Sequence, residues 1–210
     1  MKNTFYNLSE QKQKNILSAS IMEFSKYTYD GASLNRIISE AKISKGGLFK
    51  YIENKHDLYI YTVGEVLEEV IEFQLQKTDY SSNCFFHRLK ELTIAGFQFY
   101  KSNQDKYRME LNVLIDFSSP FYREIQELRN NLIQKHQNEF LKNIYWDNYI
   151  LTKDEILRVS GYLIAGFNIR LISYMKEIDD IETLEKQAMN ELDLIFKVIR
   201  TGTIKGDKND

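Results

Sequence analysis

Apolar residues recur along the chain at spacings of three and four and do not alternate with polar ones over any extended run. That pattern predicts helices throughout and no sheet. A first helix is expected from about residue 9 to residue 27, with Ser9 as N-cap and Ile16, Ser20, Phe24 and Tyr27 on one stripe. The polar segment 28–32 ends it. Ser33 is placed to cap a short second helix that turns Leu34, Ile37, Ile38 and Ala41 inward, and Ser44 to cap a third, very short one ending near residue 51. Asn54, with Asp57 three residues on, resembles a capping box and opens a long fourth helix over about 55–77. Only Lys42 and Ile43 separate the second helix from the third. A turn that tight between two short helices predicts a helix-turn-helix, whose last helix protrudes far enough to enter a major groove.

Two longer stripes follow. Thr152 caps a helix to about residue 177 that is apolar nearly all round, with Gly161 and Ala165 four residues apart. Small residues at that spacing let a second backbone come close. A further helix carries Ile181, Leu184, Ala188, Leu192, Ile195 and Ile199 on one stripe. These two helices suit either a four-helix interface around a two-fold axis or an intrachain core.

Composition supports a helical protein: Pro120 is the only proline, and nine glycines are thinly spread. The tail, 203–210, is polar and expected to fray. No run approaches 18 consecutive apolar residues and no apolar leader opens the chain, so neither a membrane span nor export is expected. The lone Cys84 permits no disulfide within one chain and suits a cytoplasmic location. Net charge is −2, unevenly placed: residues 1–60 hold nine Lys/Arg against six Asp/Glu. The N-terminal part is thus the cationic end, where a phosphate backbone would be met.

Lys45 and Lys55 sharpen that expectation. Each directly follows a cap, at a helix start, where the macrodipole disfavours a cation by a few tenths of a kcal/mol, roughly. A phosphate at the helix start reverses the sign; extension into solvent is the plainer alternative. The middle of the chain is rich in aromatics: Phe97, Tyr100, Tyr107, Phe117, Tyr145, Trp146, Tyr149 and Phe167. They form either the wall of a pocket for a flat or lipophilic ligand or ordinary core.

Catalytic signatures are missing: there is no G-x-S-x-G, P-loop or G-x-G-x-x-G. Cys84 and His87 have the spacing of half a metal site, without a second pair to complete it. His136 and Glu139 lie one turn apart, without the second Glu-x-x-His that a di-iron bundle needs. No enzyme activity, metal or cofactor is expected.

The segment 16–58, ILSASIMEFSKYTYDGASLNRIISEAKISKGGLFKYIENKHDL, resembles the DNA-binding domain of the TetR family. The resemblance rests on Ile16, Ala19, Phe24, Ser33, Ile37, Ala41, Ile43, Leu48 and Leu58, and most specifically on Ser44-Lys45-Gly46-Gly47-Leu48-Phe49 with Lys55. Four departures stand out. Lys42 occupies a turn position usually taken by Gly, which costs about 1 kcal/mol if the backbone is left-handed. Gly47 replaces a Thr, Phe49 a Tyr, and Thr28 the glycine that ends the first helix.

The resemblance implies an all-α fold: a three-helix DNA-binding domain, 1–54, followed by a larger effector-binding and dimerisation domain, 55–202. It implies that Ser33 and Ser44 bond phosphates, that Lys45, Gly46 and Gly47 face base edges or the adjacent backbone, and that Lys50, Tyr51 and Lys55 clamp phosphates, with Lys42 close by. Leu48 is expected to pack inward. The dimer contacts would come from Gly161, Ala165, Ile181, Leu184, Ala188, Leu192 and Ile195. The implied function is a repressor that binds a near-palindromic operator on double-stranded DNA as a homodimer. A small aromatic or lipophilic effector would release it by changing the angle of the long fourth helix. An activator of the same family, and a helical small-molecule carrier without sequence-specific DNA binding, are the alternatives.

Overall fold

The computed structural model describes residues 1–204. They form ten α-helices and no strand: α1 (Asn3–Tyr6), α2 (Glu10–Gly31), α3 (Leu34–Glu40), α4 (Lys45–Leu48), α5 (Lys55–Lys77), α6 (Phe85–Ser102), α7 (Gln104–Ile115), α8 (Tyr122–Leu141), α9 (Lys153–Glu177) and α10 (Ile181–Thr203). The expected frayed tail lies outside the described residues from position 205. Before it, the Thr203 carbonyl accepts from Ile150 N–H, and Ile204 bridges to Tyr149.

The helices fall into two compact units. The first comprises Met1–Ile71 and Ser102–Ile133, so the helix-turn-helix shares its unit with α7, which packs along α2. Its core includes Ile16, Phe24, Ile37, Leu48, Ile52 and Leu58, each at most 2% exposed. α7 also brings Glu110 inside, 7% exposed, with one carboxylate oxygen that has no hydrogen-bond partner. Burial pushes its pKa up to about 7, although Arg129 draws it back.

The second unit comprises Glu72–Lys101 and Gln134–Asp210, described to residue 204. Phe85, Phe86, Phe97 and Phe99 of α6 are buried at its centre. Arg88 is buried among them, with no carboxylate. Its guanidinium donates instead to the carbonyls of Tyr80, Ser82, Phe140 and Lys142. Two of these carbonyls end α8, where the helix dipole is negative, so backbone partial charge compensates the cation.

α9 and α10 pack on one another in this unit. Thr152 and Glu155 form a reciprocal capping box at the start of α9, and Asp180 caps α10 through Thr183 N–H at 2.8 Å. α9 is long and apolar enough by composition to cross a membrane, yet only 28% of its most apolar window is buried. It is therefore no ordinary core helix. Ile156, Phe167 and Leu171 face inward, while Val159, Tyr162 and Ile169 are exposed. On α10 the expected interface stripe faces the chain's own interior: Leu184, Ala188 and Leu192 are at most 1% exposed. The periodicity is right but the partner differs, because a hydrophobic stripe does not reveal whose surface covers it. Gly161 and Ala165 are exposed, and Ile181 and Ile195 are half-buried. The apolar surface still uncovered on α10 is Leu194 and Val198.

Candidate nucleic-acid interface

α3, the turn at residues 41–44 and α4 build the helix-turn-helix. Ser44 caps α4, its hydroxyl accepting from Gly47 N–H at 3.0 Å. A Cβ at Gly47 would sit 3.0 Å from that same hydroxyl oxygen, so glycine keeps the cap uncrowded. A Cβ on Gly46 would meet nothing within 4 Å, which leaves its backbone open to an approaching surface. Leu48 is fully buried, as expected, and anchors α4 from beneath.

Lys42 is left-handed, with φ of 53°, and the strain foreseen for a non-glycine residue in this turn is present. In that conformation its side chain is exposed, as are those of Lys45 and Lys50. Residues 41–52 carry these three lysines and no carboxylate. Tyr51 is half-buried, and Phe49 is 39% exposed. The exposed charged side chains of residues 41–52 are therefore all cationic, with open backbone at Gly46, a combination that suits a phosphate chain.

Ser33 and Lys55 are placed differently from the other candidates. The Ser33 hydroxyl makes no cap bond to α3. Instead its backbone N–H donates to Glu23 Oε1 at 2.7 Å, and Arg36 holds the same carboxylate through Nε and Nη2 at 2.6–3.0 Å. Burial raises the Glu23 pKa, but the Arg36 and Ser33 hydrogen bonds outweigh it and hold the group below the usual carboxylate range. Glu23 of α2 thus supplies the negative charge at the start of α3.

Lys55 turns back onto its own unit. Its ammonium donates to the carbonyls of Tyr29 at 2.7 Å, Ala32 at 3.1 Å and Asp30 at 3.4 Å, and lies 4.4 Å from the Tyr29 ring centroid. All three donors are committed to the C-terminal end of α2. That end needs the help, because Thr28 breaks the helix with a φ of 56°. The kink turns Tyr29 into a ring cluster with Tyr59 at 5.1 Å and Phe121 at 4.5 Å. His56 lies 4.6 Å from Phe121 and 2.8 Å from Glu124.

The segment before α2 is an element that periodicity did not single out. Lys2 N–H donates to the Tyr51 carbonyl at 2.8 Å, Lys2 Nζ to the Phe49 carbonyl at 3.1 Å, and the Thr4 hydroxyl to the Lys50 carbonyl. Phe5 is fully buried, edge-on to Tyr61 at 5.2 Å. This strap satisfies the carbonyls that leave α4. The one signal for it in the sequence is an apolar Phe5-Tyr6 pair within a polar start.

The eight aromatic candidates for ligand contact are divided between the two units. Tyr107 and Phe117 belong to the first unit, the other six to the second. Phe117 is 66% exposed, against Tyr122, and Tyr145 is 58% exposed. Phe97 and Tyr100 are buried, with rings 5.6 Å apart, and Phe167 is buried on α9. Trp146 and Tyr149 pack on Phe85 and Phe86 at 5.6 and 5.5 Å, and the Tyr149 hydroxyl accepts from Phe85 N–H at 2.9 Å. That cluster is packed core which fixes the start of α6.

Residues 16–62 match the family of bacterial regulatory proteins, tetR family. No curated protein matches the chain in sequence. Among solved structures, a TetR family transcriptional regulator from Chloroflexus aurantiacus has a TM-score of 0.65 at 22% identity, covering 98% of this chain and 99% of its own. SmeT, the repressor of the Stenotrophomonas maltophilia multidrug efflux pump SmeDEF, has a TM-score of 0.65 at 16% identity, covering 94% of each chain. The transcriptional regulator FadR from Bacillus subtilis, solved with stearoyl-CoA, has a TM-score of 0.64 at 15% identity, covering 87% of this chain and 97% of its own. Residues 16–62 thus match the tetR-family model, and the fold of the chain is similar to that of these TetR-family regulators.

Proposed function

We propose that the protein is a ligand-responsive DNA-binding regulator that acts as a repressor: a dimer bound to a near-palindromic operator and released by a small molecule. The observation that carries the reading is the cationic face of the helix-turn-helix. Lys42, Lys45 and Lys50 are all exposed around the open backbone of Gly46, with no carboxylate in the segment. Lys45 and Gly46 stand at the start of the capped α4, where free N–H groups and lysine charge both favour a phosphate or a base edge. In this account Ser33 and Lys55 act by positioning α3 and α5, and the phosphate contacts fall to Lys42, Ser44, Lys45, Lys50 and Tyr51.

The dimer reading is supported by the uncovered apolar face of α9 and α10, with Gly161 and Ala165 on its α9 side. A two-fold related pair would set the two α4 helices one helical turn of DNA apart, about 34–36 Å. The sign of regulation is carried over from SmeT, described as a repressor, and the response to a small molecule from FadR, solved with stearoyl-CoA. A ligand releases DNA only if it binds the non-fitting conformation better than the fitting one.

The test is an anisotropy titration of mixed-sequence duplex DNA at several salt concentrations. Phosphate contacts give an affinity that falls steeply with salt, by about 0.9 in log–log slope per phosphate neutralised. Absence of binding at low salt by a folded dimer would overturn the proposal.

A further inference from the structure

In the second unit, α6 and α10 leave between them a groove of about 480 Å³. Phe86 and Phe196 form its apolar floor, each nearly buried at 2% and 3% exposure. Its charged walls are Lys90 from α6 and Asp193, Lys197 and Arg200 from α10. Asp193 is already taken, by Lys90 at 2.6 Å. Among the described residues, Lys197 and Arg200 have no carboxylate partner.

This arrangement is unusual for its surroundings. The described part of the second unit holds thirteen Lys/Arg and fourteen Asp/Glu. Three of those cations and only one of those carboxylates line the groove. Lys197 and Arg200 are three residues apart on one face of α10, where like charges repel. An anion lying between them converts that repulsion into attraction. The groove centres on a different side of α10 from the face offered for dimerisation. At roughly 100° per residue, Arg200 lies about a third of a turn or more round α10 from Leu194 and Val198, while Lys197 lies only about 60° from Leu194 and borders that face. A dimer formed through Leu194 and Val198 leaves Arg200 on the far side of α10.

We propose that this groove binds a small organic oxyanion, a carboxylate or phosphate carried on an apolar body. Arg200 and Lys197 hold the oxygens, and the body lies on Phe86 and Phe196. The planar guanidinium offers paired N–H donors to two oxygens, and the lysine adds a mobile point charge. An organic anion is favoured over an inorganic one because its body covers what the two rings and the aliphatic stems of Lys90 and Lys197 still leave exposed. The site stands independently of DNA binding.

Isothermal titration calorimetry on the full chain tests this with three probes: phenyl phosphate, octanoate and inorganic phosphate. Three proteins are compared: the native chain, a Lys197→Gln, Arg200→Gln double variant, and a Lys176→Gln, Lys186→Gln control that removes two exposed cations elsewhere. Circular dichroism confirms that all three are folded. The expected result is one saturable site for phenyl phosphate or octanoate, at least tenfold tighter than for inorganic phosphate. The double variant weakens it at least tenfold and the control leaves it unchanged; whichever probe binds names the head group. The proposal is overturned if neither organic probe saturates, if inorganic phosphate binds equally well, or if the double variant binds as the native chain does.

Discussion

Substituting Glu110 by Gln leaves the shape of this α7 side chain nearly unchanged and removes its titration. The native carboxyl is 7% exposed, one of its oxygens has no partner, and burial raises its pKa from the ordinary 4.5 to about 7. Because the folded value lies above the unfolded one, protonation favours folding. The stabilisation is complete below about pH 4.5 and is lost as the pH rises through about 7. At about 1.36 kcal/mol per pH unit, the span from 4.5 to 7 corresponds to about 3 kcal/mol. The native chain should therefore lose about 3 kcal/mol between pH 4.5 and pH 8 that Glu110→Gln does not lose. Urea denaturation at a fixed protein concentration, across pH 5 to 8, gives the difference between the two proteins at each pH. Other titrating groups cancel in that difference, since both proteins share them. A difference that stays flat across the range would mean that the carboxyl is solvated or paired when folded, and that its burial does not raise its pKa.

Further outcomes follow from particular residues. Lys55→Met should lower the stability of the first unit by about 1–3 kcal/mol, because three carbonyls lose a charged donor. Lys45→Ala should leave stability within about 0.5 kcal/mol; thermal melts of the two variants separate a positioning lysine from a contacting one. Arg88→Met should cost about 3 kcal/mol or more by leaving buried carbonyls unsatisfied, measured by denaturation at constant pH. Lys42→Gly should raise stability by about 1 kcal/mol at its left-handed turn, and lower DNA affinity if the side chain meets phosphate. Leu194→Glu with Val198→Glu should give a folded monomer by sedimentation, whereas Leu192→Ala should destabilise the chain itself by about 2–5 kcal/mol.

The sequence carried the local grammar of the helix-turn-helix well. The Ser44 cap, the inward Leu48, the strained Lys42 and the Thr152 cap each follow from one residue and its near neighbours, and each is present. Less legible was everything that depends on a distant partner. Glu23 reaches ten residues forward to Ser33, and Lys55 more than twenty back to Tyr29, Asp30 and Ala32. Helical periodicity contains no term for either. Lys55 at a helix start looked like a phosphate ligand because the dipole disfavours it there. Its compensation proved to be the negative end of a second helix instead.

The same limit explains α10 and the aromatics. A stripe of Leu184, Ala188 and Leu192 says that one face is covered, and the cover is the chain's own. An aromatic-rich segment says that large side chains are buried, but Trp146 and Tyr149 are spent on locking the start of α6. The groove over Phe86 and Phe196 was hidden for the converse reason. Its walls come from two helices about a hundred residues apart, and no local pattern joins them.

The central claim, that the helix-turn-helix reads a specific duplex, is tested most directly by selection from a random library of DNA duplexes at moderate salt. The native chain and a Lys45→Ala, Lys50→Ala variant are compared, with folding and dimerisation confirmed for both. The native chain is expected to recover one near-palindromic sequence, with half-sites about one helical turn apart, and the variant none. Recovery of no sequence above background by the native chain, or of the same sequence equally well by the variant, would contradict it.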